Sequence, residues 1–140
     1  IDRMITIRQA RQELFEVFAA NNSGKPQSWL QGRVSRVYDH EPFGGLLTKP
    51  ASITIRTGGL TSEDIIFELR IYVDASNDAR KSADLLDEII EMIETGNTQH
   101  GQSFSYIPAE FTIGEWETTF EEELKAWGAI LRINRGRTDF

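Results

Sequence analysis

The chain has 140 residues, no cysteine and a formal net charge of −7. This length predicts one domain with a substantial core, because a chain of this size buries roughly 70% of its unfolded surface. The lack of cysteine excludes disulfides and thiolate metal sites, and the negative charge disfavours a generic basic grip on nucleic acid. No apolar run approaches the roughly 20 residues of a membrane span.

The first element along the chain is a helix predicted over residues 6–20, with Thr6 as a candidate cap. Its apolar side chains recur at spacings of three and four, which is typical of one buried helical face. These positions are Ile7, Ala10, Leu14, Val17 and Phe18. Residues 21–26, NNSGKP, then end the helix and predict a loop.

A strand is predicted over residues 29–38, followed by a loop over residues 40–50. The loop is rich in Gly and Pro, yet it also holds Phe43, Leu46 and Leu47. Large apolar side chains on loops are typical of anchors between proteins. These three residues are therefore candidate interface residues.

Two neighbouring strands are predicted over residues 51–57 and 65–73. Their apolar and polar side chains alternate, as in strands with one buried face. The pair Gly58-Gly59 favours a turn or a longer hairpin loop between them.

A long helix follows, because the apolar spacing changes to three and four from Ala79 onward. Ser76 is the predicted N-cap, Asp78 suits the positive first turn, and Gly96 suits the helix end. The other face of this helix is acidic and carries Asp84, Asp87, Glu88, Glu91 and Glu94. The whole unit is typical of a scaffold and not of a catalytic centre.

The last third of the chain predicts a polar loop and then two strands, over residues 111–120 and 127–133. Alternation in the first strand sets Phe111 and Ile113 on one side and Trp116 on the other. The order of helix, three strands, helix and two strands predicts an α+β domain. We expect a mostly antiparallel sheet of about five strands with two helices packed on one face.

We expect a single domain over residues 1–140, with a short Arg-rich C-terminal arm at residues 132–140. Arg132, Arg135 and Arg137 make this arm basic in a chain that is otherwise acidic. One interpretation is a solvated tail beside a solvated acidic helix face. The other is that the acidic and basic patches meet across a subunit interface, which makes the three arginines candidate interface residues.

The sequence contains no recognisable set of catalytic residues. His40 and His100 are the only histidines, and both lie in predicted loops without a metal-binding motif around them. Asp74 and Asp78 are interpreted as caps of the strand-to-helix junction. We therefore expect no catalytic residue, no metal site and no cofactor.

Four segments carry a further combination of patterns. The opening helix has the pattern IRxxRxxLxxxF, a strand over residues 50–55 reads Pro-Ala-x-Ile-x-Ile, and YVDAS at residues 72–76 leads into the helix at residues 78–87. A strand containing Trp127 follows at residues 126–134. Together with the size of the chain, these segments resemble the tail-terminator and tail-completion proteins of long-tailed bacteriophages.

The resemblance implies a structural protein of the virion neck that is assembled in the host cytoplasm. Such proteins form a ring, commonly a hexamer, that caps the tail tube and docks it to the head-closure protein. DNA passes through the ring without specific binding, and no membrane, cofactor or reaction is involved. On this reading Glu121, Glu122 and Glu123 are candidate lumen residues.

Two alternatives remain open at this point. The first is another connector ring of the neck, such as a head-closure or adaptor protein. The second is a small cytoplasmic α+β enzyme or ligand-binding domain, which a well-formed apolar pocket with convergent polar groups would favour.

Overall fold

The structure, a computed structural model, describes residues 3–20, 24–40, 49–99, 102–123 and 125–139. It contains two α-helices, α1 (Ile7–Phe18) and α2 (Ala79–Thr95), and a short 3₁₀ helix, Ser28–Leu30. The strands are β1 (Arg3–Met4), β2 (Ala19–Ala20), β3 (Lys25–Pro26), β4 (Arg36–Tyr38), β5 (Ala51–Leu60), β6 (Asp64–Asp74), β7 (Asn97–Gln99), β8 (Gln102–Phe104), β9 (Phe111–Glu121), β10 (Ala126–Gly136) and β11 (Thr138–Asp139).

Five of these strands form one sheet in the order β4-β5-β6-β10-β9. All neighbours in this sheet are antiparallel except β4 and β5, which run parallel. The remaining strands form two-stranded pairs, β1 with β11, β2 with β3 and β7 with β8. The predicted α+β class and the mostly antiparallel five-stranded sheet are confirmed.

The central strand β6 shows why the sheet has one core face. Its side chains alternate strictly between buried and half-buried positions. The buried set is Ile65, Phe67, Leu69, Ile71 and Val73. The register pairs Leu69 with Ile55 on one side and with Leu131 on the other, so the apolar side chains of three strands share this face.

Both helices pack on this same face. Leu14 and Phe18 of α1 and Ile89 and Ile93 of α2 belong to one hydrophobic cluster with the buried strand residues. Leu86 of α2 is buried in the same cluster, whereas Ile90 is half-buried and packs against the cluster from its margin. We call the opposite side of the sheet, which carries the even-numbered side chains of β6 and β10, the open face.

The ends of the helices follow local rules that the sequence displays. Thr6 caps α1, and its side chain forms a reciprocal capping box with Gln9. α2 ends at Gly96, whose φ of 67° favours glycine. The predicted cap Ser76 is wrong, because Asp78 accepts hydrogen bonds from the N–H groups of Arg80 and Lys81.

Three predicted segments have a different local structure. Only Arg36–Tyr38 of the strand predicted over residues 29–38 is extended, because the region begins with the 3₁₀ helix. Gly58-Gly59 is not a turn but a bulge within β5, which continues to Leu60. The predicted polar loop after α2 contains β7 and β8, which pair with each other.

A second bulge changes the faces of β9. The register shifts between the Leu131–Trp116 pair and the Ile133–Ile113 pair, so β9 holds one extra residue there. Ile113 and Trp116 consequently both pack against the core. Their predicted placement on opposite sides is wrong, because the change from odd to even apolar positions after Ile113 results from the bulge and not from a change of face.

Candidate functional site

The segment predicted as a free C-terminal arm is mostly part of the sheet. Residues 132–136 are the end of β10, which pairs along its length with β6 and β9. The backbone N–H of Arg137 donates to Glu63 O, and Arg137 O accepts from the N–H of Ile5. One guanidinium nitrogen of Arg137, Nη1, also donates to Thr61 O at 3.0 Å. Arg137 thus holds the turn between β5 and β6, and the prediction of an arm is wrong.

Arg135 lies on the core face of β10 and is only 3% exposed. Its Nε lies 3.3 Å from Glu13 Oε2 of α1, and its Nη1 donates to Gly136 O at 2.8 Å. The guanidinium also stands 5.6 Å from the centre of the Phe111 ring. Because its own chain covers it, Arg135 is not available to a neighbouring subunit, and its assignment to an interface is corrected.

Arg132 lies on the open face and is exposed. The register aligns it with Glu68 of β6, which in turn aligns with Arg56 of β5. Glu68 also forms an ion pair with Arg70, with 3.1 Å between Oε2 and Nη2. A row of alternating charge therefore crosses the open face from β5 to β10.

The row continues into a trough of about 490 Å³ at the β9 side of the open face. Its walls are Glu68, Arg70, Gly114, Glu115, Glu117, Ile130 and Arg132. The trough is open and lined by both signs of charge, which suits a protein surface better than an apolar small molecule. Sequence reasoning missed it because the strand register brings Arg56, Glu68 and Arg132 together. The local signal was the alternation of Glu68 and Arg70 in one strand.

A contrasting surface lies on the outer side of α2. Asp84, Asp87, Glu91 and Glu94 are exposed at helical spacings of three and four, so they form one row. Glu88, beside this row, forms an ion pair with Arg33. Like charges at these spacings repel one another, so the row costs helix stability unless a cation approaches.

The remaining candidates from the sequence are the three glutamates of the predicted lumen and the three apolar residues of the predicted loop. Glu122 and Glu123 are exposed in the turn between β9 and β10, and Glu121 ends β9. Phe43, Leu46 and Leu47 lie outside the described residues, so their interface role stays a prediction.

The two histidines provide no constellation for chemistry in the described residues. His40 is exposed, and its Nδ1 lies 2.7 Å from Asp39 Oδ1. His100 lies outside the described part of the chain. Within that part, no three His, Cys, Asp or Glu side chains are grouped as metal ligands would be.

The predicted capping roles at the strand-to-helix junction are confirmed. Asp74 accepts hydrogen bonds from the N–H and the hydroxyl of Ser76, and Asp78 caps α2. The Ser82 hydroxyl bonds the backbone oxygens of both aspartates. These contacts explain both carboxylates as structural groups.

The chain matches no known family model and no curated protein. In the described ranges, neither helix has the length and apolar content that crossing a bilayer requires.

Proposed function

We propose that this protein is a structural ring component of a bacteriophage neck, a tail terminator that caps the tail tube. The observation that carries the proposal is the unlike charge of two opposite sides of the domain, since the row on the outer side of α2 is uniformly acidic and the open face holds arginines among its glutamates. The acidic row of α2 points away from the sheet, whereas Arg56 and Arg132 stand on the open face. The resemblance of the sequence patterns to tail-terminator proteins supplies the identity of the ring.

A closed ring requires a heterologous interface, in which one patch meets a different patch on the next copy. Two unlike surfaces on opposite sides of one domain provide this geometry without a separate arm. The acidic row of α2 would face the open face of the neighbour, where Arg56 and Arg132 replace Arg135 and Arg137 as the cationic candidates. Charge of this kind sets orientation and partner choice more than affinity.

Passage of DNA through such a ring is compatible with the charge of the chain. Binding to DNA rests mainly on contacts between basic side chains and phosphates. A chain with a net charge of −7 lowers this attraction, so DNA can slide. We assign Glu121, Glu122 and Glu123 to the lumen as part of this proposal.

The proposal is tested by deleting the gene from the phage that encodes it and supplying the protein from a plasmid. We expect the deletion to give tails of uncontrolled length that fail to join heads, and the plasmid to restore both properties. A plasmid copy with His40→Ala should restore them equally, because the proposal assigns no reaction to that residue. Tails of normal length that fail to join would favour another connector ring, and normal particles would refute any role in the neck.

A further inference from the structure

The two edges of the five-stranded sheet are protected to very different degrees. At one edge, β4 is only three residues long, and its Val37 N–H donates to Gly24 O at 2.8 Å. At the other edge, β9 is 11 residues long. From Thr112 to Phe120, no described residue outside β10 forms a backbone hydrogen bond with β9. Among the described residues, the outer edge of β9 is therefore a row of backbone donors and acceptors that no other strand pairs with.

The side chains of β9 define what such a strand would have to carry. Glu117 pairs with Ile130 and so lies on the open face, beside Glu115 in the wall of the trough. Trp116 and Phe120 lie on the helix side, where Phe120 is 38% exposed. An added strand would place alternate side chains next to carboxylates on one face and next to aromatic rings on the other.

The charge around this edge disfavours a second copy of β9 as its partner. Residues 110–123 contain six glutamates and no lysine or arginine. Antiparallel pairing of two β9 strands about their central residue, Trp116, would set Glu115 directly opposite Glu117 of the other copy. Like charges directly opposite each other destabilise a strand pair. The edge therefore disfavours pairing with its own copy and is complementary in charge to a basic segment.

We propose that the outer edge of β9 accepts an extended segment of a partner protein as a sixth strand. The segment alternates lysine or arginine, facing Glu115 and Glu117, with apolar side chains that cover Trp116 and Phe120. Main-chain hydrogen bonds provide the attachment, and the alternating side chains provide the selectivity. This inference concerns one edge of the sheet and does not depend on the ring or its location.

The test is binding of a fluorescent ten-residue peptide that alternates lysine and valine, followed by fluorescence anisotropy at low salt. Two control peptides share its length: one replaces lysine by glutamate, and one carries N-methyl groups on alternate backbone nitrogens. We expect only the unmodified lysine peptide to bind. Hydrogen exchange of the complex should show added protection in residues 112–120.

The matched protein variants are Glu115→Lys with Glu117→Lys, and Glu16→Lys with Glu63→Lys, two exposed positions outside the surfaces described above, as a control of equal charge change. We expect the β9 variant to lose at least about fivefold in affinity, since two favourable cross-strand pairs become repulsive, and the control variant to change little. Thermal unfolding confirms that both variants are folded. No peptide binding, equal weakening by both variants, or equal binding of the N-methylated peptide would overturn the proposal.

Discussion

The helix-covered face of the sheet and its open face alternate along the same strands but hold different side chains. On the covered face, Leu69 aligns with Ile55 and Leu131, and all three are fully buried. One residue further along β6, on the open face, Arg70 forms an ion pair with Glu68 and remains partly exposed. The difference shows that burial of the apolar side chains fixes the register of the strands. The charged side chains of the open face are aligned as a consequence.

Arg135 is the exception on the covered face. It is a charged residue on the covered face, held there by Glu13, Gly136 O and the Phe111 ring. A cation in that position must be paired to be tolerated. Reversing Arg135 to Glu would therefore damage the fold and would not test an interface.

A substitution in the covered face should destabilise the fold most strongly, and a substitution on the open face should have little effect. We expect Leu69→Ala to lower the free energy of unfolding by about 2–5 kcal/mol, because it empties a fully buried site at the centre of the sheet. Arg56→Ala on the open face should change it by less than about 0.5 kcal/mol. Urea unfolding of both variants is the measurement, and equal losses would show that the faces are not distinct.

The next effect concerns the buried cation. Glu13→Ala removes the carboxylate beside Arg135 and should cost about 1–3 kcal/mol, with the loss limited because Glu13 is 43% exposed and Arg135 keeps its bond to Gly136 O. Glu16→Ala, an exposed position on the same helix, is the matched control. The comparison fails if the two variants unfold at the same denaturant concentration.

A smaller effect is expected at the bulge of β9. A Cβ on Gly114 would lie 3.0 Å from Arg132 O, so Gly114→Ala should cost about 1 kcal/mol by forcing the two strands apart. A Cβ on Gly136 would meet nothing within 4 Å, so Gly136→Ala serves as the control. Thermal unfolding should separate them, and a neutral Gly114→Ala would mean that the bulge adjusts freely.

Removing the two arginines of the open face should change stability least and should instead weaken contacts between copies of the protein. Arg56→Gln with Arg132→Gln should change the free energy of unfolding by less than about 1 kcal/mol, since both side chains are exposed. Under the proposed function, it should weaken contacts between copies at low salt, measured by sedimentation. The double variant Arg8→Gln with Arg11→Gln on α1 has the same net charge as the open-face variant and should leave association unchanged. If both double variants weakened association equally, the open face would not be the surface responsible.

Periodicity along the chain was sufficient to predict both helices and the four long strands. It was sufficient because an element that buries one face repeats apolar residues at its own period, as in the alternation from Ile65 to Val73. The bulges at Gly58-Gly59 and beside Gly114 lie at glycines within strands, a local signal that the prediction did not use, whereas their effect on the pairing depends on the partner strand. The sequence offered both Ser76 and Asp78 as caps, and Asp78 is the cap because the first turn of α2 begins at Ala79.

The candidate site was less accessible to sequence reasoning for the same physical reason. Arg132 and Arg135 are three residues apart in one strand, so they point to opposite faces, and only the sheet register shows which face is covered. The burial of Arg135 further depends on α1, which is distant in the sequence. The acidic face of α2, by contrast, followed directly from helical spacing.

The proposed function is best tested by electron cryomicroscopy of particles from the phage used in the deletion experiment. If the protein is a tail terminator, a single closed ring of copies should lie at the head-proximal end of the tail tube, with α2 of each copy against the open face of the next. Absence of the protein from the particle, or its distribution along the whole tail, would refute the proposed function.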